Sequence, residues 1–186
     1  MRFVFPLIAL ALAACGQTTA PAPETAATSA EAPASTAFVA HYDAISNTAM
    51  SITGALDLAP DVLSFEKGFR IEGARTETML MPDADLSAGG GTARDVTGNT
   101  NILNMEVRRV DLVRVAADAR DPQLCGEGQT VSHVIVAHGT ETLSLMVFSG
   151  ADAPGPNAHN SQLCGTFNYQ LDTAWFTKFS ICEITL

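Results

Sequence analysis

The sequence predicts an all-β domain, a mostly antiparallel sandwich or small barrel with a short N-terminal helix. Short stretches of alternating apolar and polar residues recur after residue 50, and turn residues such as Gly, Pro and Asp separate them. The long stretches of helical period that parallel β-α-β units need are missing. We assign this single domain to residues 38–186, about 150 residues, which is a usual domain size.

The chain begins with a short apolar run behind a positive charge. Arg2 precedes the run, which extends from Phe3 to Ala14, and this is the pattern of a secretory signal peptide. A helix that crosses the hydrocarbon core of a bilayer needs about 20 residues, and this run is well short of that length. The sequence therefore predicts a signal peptide over residues 1–14 rather than a permanent transmembrane helix.

The phrase Leu12-Ala13-Ala14-Cys15 resembles the lipobox of bacterial lipoproteins. The resemblance implies cleavage before Cys15, a lipid on its sulfur and an acyl chain such as palmitate on the new amine. Two or more chains hold a protein stably to a bilayer, whereas one chain gives marginal binding. Gly16, in place of Asp, implies the outer rather than the inner membrane. The alternative is an ordinary signal peptide that a cysteine happens to follow.

Residues 15–37 are predicted to form a disordered tether that starts at the lipidated cysteine. After Gly16 they are Gln, Thr, Ala, Pro, Glu and Ser, and no large apolar residue occurs before Phe38. Such a segment cannot bury enough apolar surface to offset the entropy lost on ordering. It separates the domain from the bilayer and carries no chemistry.

The predicted domain opens with one helix and one strand. Apolar residues recur at helical spacing from Phe38 to Ala49, which predicts a short helix. The period changes to two between Met50 and Leu58, which predicts a half-buried strand.

Alternation between turn residues predicts the remaining strands. A meander follows Pro60-Asp61, and residues 82–101, rich in Gly, Asp and Asn, are predicted to form a long loop. The strands are expected around Leu63–Phe65 and Phe69–Ile71, at Thr76–Met81, within Ile102–Val115 with a bulge or turn at Arg108-Arg109, in a hairpin from Thr130 to Phe148, at Thr166–Leu171 and near Phe176–Leu186.

Three further cysteines follow the lipidated one: Cys125, Cys164 and Cys182. Cys125 and Cys164 both occur in the phrase Gln-Leu-Cys-Gly, just before strands that flank the clear hairpin, so they are expected at one edge of the sheet. We predict a Cys125–Cys164 disulfide, which secretion permits, and a buried Cys182 thiol. The two other pairings remain open, and the spacing offers neither a redox CxxC pair nor a zinc pattern.

The net charge of −10 argues against nucleic acid as a partner and against electrostatic attachment to a membrane. Nucleic-acid binding needs clustered Lys and Arg, and the basic residues are few and scattered. An acidic surface is not attracted to anionic lipid headgroups. Membrane attachment is therefore expected from the lipid anchor alone.

The histidines and acidic loops offer weak signals for a metal. His133 and His138 are the most metal-like pair, but residues five apart in a strand point to opposite faces. Locally bonded or surface histidines are the preferred interpretation, with zinc binding as the alternative. Asp83-Ala84-Asp85-Leu86-Ser87 resembles the start of a calcium loop, but Ala88 and Arg94 replace the Gly and Glu that the pattern requires.

No phrase in the sequence predicts a catalytic site. A Gly-x-Ser-x-Gly nucleophile elbow and a phosphate-binding P-loop are both missing. Ser149-Gly150-Ala151-Asp152 ends a strand and opens a turn, and Trp175, Phe176 and Phe179 are interpreted as core aromatics. We therefore predict no catalytic residue, no metal site and no cofactor.

Two stretches resemble known groups of proteins. From Arg114 through the hairpin to Leu163-Cys164-Gly165-Thr166-Phe167-Asn168-Tyr169, the chain is similar to small uncharacterised bacterial lipoproteins. Ile52-Thr53-Gly54, with Leu63-Ser64-Phe65 and Gly68, resembles META/HslJ-type β domains. Neither resemblance implies a catalytic residue.

These observations favour a membrane-anchored envelope lipoprotein that acts as a non-enzymatic binding module, with an envelope protein as its partner. The alternatives are an inhibitor of an exogenous hydrolase such as lysozyme, because an acidic protein attracts a basic enzyme, or an unrecognised periplasmic hydrolase.

Overall fold

The computed structural model describes residues 40–73 and 75–174. Predictions for residues 1–39 and 175–186 lie outside this part of the chain. They include the signal peptide, Cys15, the tether, the last strand with Cys182, and the aromatic residues Trp175, Phe176 and Phe179.

The predicted fold class is confirmed: the chain forms a curled, half-barrel antiparallel sheet with few helical residues. The strands are β1 (Ala40–Ala44), β2 (Leu56–Leu58), β3 (Val62–Phe65), β4 (Phe69–Glu72), β5 (Arg75–Leu80), β6 (Asn104–Arg109), β7 (Leu112–Val115), β8 (His133–His138), β9 (Thr142–Ser149) and β10 (Gln162–Leu171). Their order across the sheet is β5-β6-β8-β9-β10-β1-β2-β3-β4-β7.

Two bent segments bring the ends of this sheet together. Only residues 73–74 separate β4 from β5, and only residues 110–111 separate β6 from β7. Because β4 pairs with β7 and β5 pairs with β6, the two segments pair with each other along both of their halves. The terminal strands of the sheet are therefore continuations of strands inside it, and the sheet curls back on itself.

The predicted helix from Phe38 to Ala49 is wrong over Ala40–Ala44, and only its last residues are helical. Ala40–Ala44 is strand β1, which pairs with β2 on one side and β10 on the other. Hydrogen bonding to two neighbours outweighs the local helical spacing, as tertiary context commonly does. The helical residues begin at Asn47, at the end of the predicted range, and continue as the π-helical turn Ala49–Thr53.

That π-helical turn occupies part of the strand predicted from Met50 to Leu58, of which only Leu56–Leu58 is extended. Inside the turn the Thr53 hydroxyl donates to the Ala49 carbonyl at 3.0 Å and lies 2.7 Å from the buried Tyr169 hydroxyl. Gly54 then ends the turn with a φ of 65°, which a residue without Cβ adopts freely.

The predicted long loop over residues 82–101 contains one short helix, α1 (Ala93–Thr97). Thr92 and Asp95 form a capping box: the Asp95 carboxylate accepts from the Thr92 amide at 2.9 Å, and the Thr92 hydroxyl accepts from the Asp95 amide at 3.4 Å. Gly98 ends the helix in the left-handed conformation.

The predicted hairpin is confirmed as β8 and β9, and it is buried on both faces. Val134 and Val136 belong to a core cluster inside the curl, whereas Ile135 and Ala137 belong to a second cluster that Leu86 and Ala93 cover from the 82–101 segment. This double burial explains why the sequence of β8 is an almost continuous apolar run. No helix among the described residues is both long enough and apolar enough to cross a membrane.

Candidate functional site

A disulfide between Cys125 and Cys164 confirms the predicted pairing, with the two Cα atoms 4.6 Å apart. The register of β10 on β9 shifts here, since Leu163 pairs with Phe148 and Gly165 pairs with Val147. Cys164 is thus the extra residue of a β-bulge, and a bulge redirects a side chain out of the regular alternation. The bulge positions this sulfur to reach the segment that precedes β8.

We call that segment, residues 116–132, the disulfide loop; it connects β7 to β8. Tight turns surround its cysteine: the Asp121 carboxylate accepts from the Gln123 amide at 2.9 Å, and Gly126 donates to the Gln123 carbonyl at 2.7 Å. Gln123 itself has a φ of 45°, an uncommon conformation for a residue other than Gly. The disulfide fixes these turns against β10.

A groove of about 340 Å³ lies between the disulfide loop and β7, and we call it the edge groove. Among the described residues, three carboxylates line it, from Asp111, Asp121 and Glu127, and none of the lining residues is Lys, Arg or His. Its apolar lining comes from both sides of the groove: Leu112, Val113 and Val115 on β7, and Pro122, Leu124 and Val131 from the loop.

The edge groove borders the outer edge of β7. Leu112, Arg114 and Ala116 direct their backbone groups at β4, as shown by the bond that the Ala116 amide donates to the Gly68 carbonyl at 2.8 Å. Because these directions alternate along a strand, the N–H and C=O groups of Val113 and Val115 point away from β4. Within residues 40–73 and 75–174, no hydrogen bond from the disulfide loop satisfies them.

A second groove, of about 540 Å³, lies on the other side of the disulfide loop and is called the loop groove. It shares Asp121, Pro122 and Gln123 with the edge groove, but it contains both signs of charge, including Lys67 and Asp118. The disulfide loop therefore separates an acidic groove from a mixed one.

The two candidate metal ligands, His133 and His138, lie at opposite ends of β8 and meet different carboxylates. His133 Nε2 is 3.6 Å from Glu77, and His138 Nε2 is 3.3 Å from Glu106. In the part of the chain that the structure describes, no three His, Cys, Asp or Glu side chains are placed to hold a metal ion. The structure does not bring these two histidines together.

A buried charge cluster on the inner face of β6 and β8 was not predicted from the sequence. Arg108, 5% exposed, donates through Nε to Glu106 at 2.9 Å and through Nη1 to the carbonyls of Ala59 and Pro60, each at 3.3 Å. Glu106 and Arg108 pair with Val136 and Val134, which places them on the face of the inner core. Their spacing of two residues within a strand was the available signal.

Burial and charge shift the pKa values in this cluster. Burial alone raises the pKa of Glu106, but the hydrogen bond and positive charge of Arg108 hold it below its ordinary value. Burial lowers the pKa of His138, and the nearby Glu106 carboxylate only partly opposes that effect. His138 Nε2 is buried without an aligned hydrogen bond to that carboxylate. The cluster joins β6 to the turn after β2 through Arg108.

The other candidate residues serve local structure. Asp85 forms an isolated bridge with Thr92. The Asp152 carboxylate accepts from the amides of His159 and Asn160, at 3.0 and 2.8 Å. Ser149 is buried and donates to the Gln129 side chain at 3.3 Å. These contacts order turns and do not assemble a nucleophile with a base.

His41, on β1, contacts Asp57, on β2, through Nδ1 at 2.6 Å. The two residues lie opposite each other in the β1–β2 ladder. This is a cross-strand pair of the kind that stabilises a sheet.

Comparisons with protein-family models, with curated proteins and with solved structures find no match to this chain. The edge groove is the candidate binding site that the geometry supports. The sequence did not predict this groove, because it forms where the disulfide loop lies beside the outer edge of β7, and the sequence pattern does not give the position of that loop.

Proposed function

We propose that this protein is a lipid-anchored envelope lipoprotein whose domain is a non-enzymatic binding module. The lipobox-like phrase ending at Cys15 supports the anchor. The edge groove supports the binding role. It carries an exposed strand edge and three carboxylates beside a loop that a disulfide fixes in place.

The fixed loop is the observation that carries the proposal. A loop of a compact domain ordinarily moves, and ordering it on binding costs free energy. The Cys125–Cys164 bond holds the disulfide loop to β10 before any ligand arrives. Such preorganisation favours binding, since loops placed by a rigid scaffold commonly carry recognition.

Polar side chains elsewhere in the domain bond to one another, which favours the edge groove as the binding face. Asn168, for example, accepts from the Ser144 hydroxyl at 2.7 Å and donates to the Thr97 carbonyl at 3.0 Å. Asn99 donates to Thr142 and Ser144, each at 3.2 Å. These groups attach the end of α1 to β9 and β10, so their role is structural.

The anchor is tested by labelling cells with a fatty-acid probe while they express the full precursor. We expect the native chain and the control variant Cys182→Ser to take up the probe, and Cys15→Ser to take up none. The membrane fraction of Cys15→Ser should fall accordingly, because one thiol carries the attachment. Equal labelling of Cys15→Ser, or an unlabelled native chain, would overturn the anchor.

The binding role is tested with a photocrosslinking residue placed at Gln129, which lines the edge groove. A control crosslinker at Arg94 on α1 lies outside both grooves. We expect one discrete adduct in intact envelopes from position 129 and none from position 94. The same adducts from both positions, or none from position 129, would contradict the proposal.

The acidic edge groove also favours a second candidate, inhibition of a basic hydrolase such as lysozyme. Opposite charges speed association and orient the two proteins. The full chain should then reduce lysozyme activity at low salt, and a variant with Asp111→Asn, Asp121→Asn and Glu127→Gln should lose that effect. Unchanged lysozyme activity at low salt removes this candidate.

A further inference from the structure

We propose that the edge groove binds an extended cationic peptide segment, which adds to β7 as one more strand of the sheet. This inference rests on the proposed binding role and names the chemistry of the partner. The partner segment alternates Lys or Arg with aliphatic residues. Its backbone pairs with β7, and its charges meet the groove carboxylates.

The backbone of β7 supplies the edge for this pairing. Val113 and Val115 direct their N–H and C=O groups into the groove, where no described residue pairs with them, and such groups are a template for another strand. Natural edge strands are commonly blocked by a proline, a bulge or a covering loop. β7 contains neither proline nor bulge, and the nearby disulfide loop leaves a groove instead of a hydrogen-bonded cover.

The groove also presents an apolar surface. Leu112 and Val115 are 43% and 36% exposed, which is high for aliphatic side chains in a strand. Leu124 and Val131 line the same groove from the opposite side. Val115 shares its face of β7 with Val113, which packs in the same core cluster as Leu124 and Val131, whereas Leu112 lies on the other face. An added strand with aliphatic residues at alternate positions would therefore cover the face that carries Val115.

The charge of the groove is negative. Asp111, Asp121 and Glu127 are all exposed, and the lining residues that the structure describes include no cation. Arg109 approaches Asp111 from outside the lining, at 3.5 Å, and its own side chain is 63% exposed. Cationic side chains on the added strand could therefore pair with Asp121 and Glu127, which have no basic neighbour among the described lining residues. They could also pair with Asp111, whose ion pair with Arg109 is a weak surface contact.

The chain's own residues 175–186 are the competing occupant of the groove. They are largely apolar and contain one Lys and one Glu, at Lys178 and Glu183. They thus lack the excess of positive charge that three carboxylates favour. For this reason we assign the groove to a separate cationic segment. The experiment distinguishes that segment from residues 175–186 of the chain itself.

The experiment titrates the full mature chain, in detergent micelles, against a fluorescent capped peptide of three Lys-Val repeats. A Glu-Val peptide of the same length is the charge control. A Lys-Val peptide methylated on every backbone nitrogen is the pairing control, since it keeps the charge but loses the N–H donors of both edges. We expect saturable binding of the Lys-Val peptide only, with affinity that falls as salt is added.

Two protein variants locate the site. The combination Asp111→Asn, Asp121→Asn and Glu127→Gln should weaken Lys-Val binding about tenfold or more, because three attractive charges are lost. Asp118→Asn, in the loop groove, is the matched control and should leave the affinity unchanged. Cross-saturation of the Val113 and Val115 amides by the bound peptide should place it at the outer edge of β7.

Absence of Lys-Val binding, equal binding of the methylated peptide or equal binding of the Glu-Val peptide overturns the inference. Binding that appears only in a chain truncated after residue 174 assigns the groove to residues 175–186 and also overturns it. If position 129 still gives its discrete adduct in envelopes, the binding module stands with a different partner. If it does not, the proposed function fails as well.

Discussion

Arg108 shows how much one side chain does inside this fold. Its guanidinium is buried, pairs with Glu106 and reaches the carbonyls of Ala59 and Pro60, so it ties β6 to the turn between β2 and β3. A buried charge of this kind is stable only while its partners remain, because removing one partner leaves the other desolvated and unpaired.

We expect Arg108→Met to lower the free energy of unfolding by about 3 kcal/mol. The estimate takes the lower end of the usual range because the Glu106 side chain is 23% exposed and regains some hydration. Arg109→Met is the matched control. Its side chain is 63% exposed and its ion pairs are 3.5 and 3.6 Å long, so the loss should stay below about 1 kcal/mol. Urea unfolding measures both, and equal losses would contradict the role of Arg108.

Acid should destabilise the domain in two stages. Burial lowers the folded-state pKa of His138, so the unfolded chain binds more protons once the pH falls below the ordinary value of 6.5. The pKa of Glu106 is also lowered, and its stabilising effect is present above the ordinary value of 4.5 and lost as the pH falls through the folded-state pKa. Both shifts make the free energy of unfolding decrease as the pH falls.

The urea midpoint should therefore drop between pH 7.5 and pH 5.5, and His138→Gln should reduce the size of that drop. His133→Gln should act in the same direction, since burial lowers the pKa of His133 too. If the midpoint changes by the same amount in both variants as in the native chain, neither histidine contributes.

At the scale of elements, the β-bulge and the disulfide act together. The bulge takes Cys164 out of register, and Cys125 meets it from a loop whose turns are set by Asp121 and Gly126. The repeated Gln-Leu-Cys-Gly phrase favoured this pairing over the two others, because both cysteines were expected at one sheet edge. The edge groove was not predictable in the same way, since it depends on where the loop stands in space.

We expect the double variant Cys125→Ser, Cys164→Ser to lose about 4 kcal/mol of unfolding free energy, given a separation of 39 residues in the chain-entropy account. Proteolysis should then cleave within the disulfide loop. Cys182→Ser serves as the control and should keep the crosslinked peptide in a map made without reduction. A loss below 1 kcal/mol, or a loop that still resists protease, would show that the bond is dispensable.

The errors of prediction have physical causes at this same scale. Ala40–Ala44 has apolar residues at helical spacing, but bonding to β2 and β10 makes it a strand. Alternation alone could not reveal the π-helical turn, which depends on Thr53 meeting Tyr169, a contact between residues far apart in sequence. The β3–β4 and β8–β9 hairpins were predicted well because their pairing is local and their turns carry glycine.

Across the whole molecule, the central strands of the sheet are more deeply buried than the strand at its edge. β8 and β9 pack against core clusters on both faces, whereas β7 is mostly exposed and, among the described strands, pairs with β4 alone. Regions with few buried contacts and solvent-facing backbone open most easily.

Hydrogen exchange should therefore be slowest for amides of β8 and β9 and fast for Val113 and Val115. Mass spectrometry of peptides covering Leu112–Val115 and Thr142–Ser149 measures the contrast directly. Protection of the Val113 and Val115 amides as strong as that of β9 would show that another segment already pairs with the outer edge of β7.

Among the described residues, six of the nine ladders join strands that follow each other along the chain, so much of the sheet can assemble by short-range additions. The exceptions are β4 with β7, β6 with β8, and β1 with β10, and the last of these spans the longest stretch of chain because it joins the two ends of the described part. Long loop closures slow folding. The rate-limiting event should be this meeting of ends, and a permuted chain that joins them covalently and opens at the β8–β9 turn would fold faster.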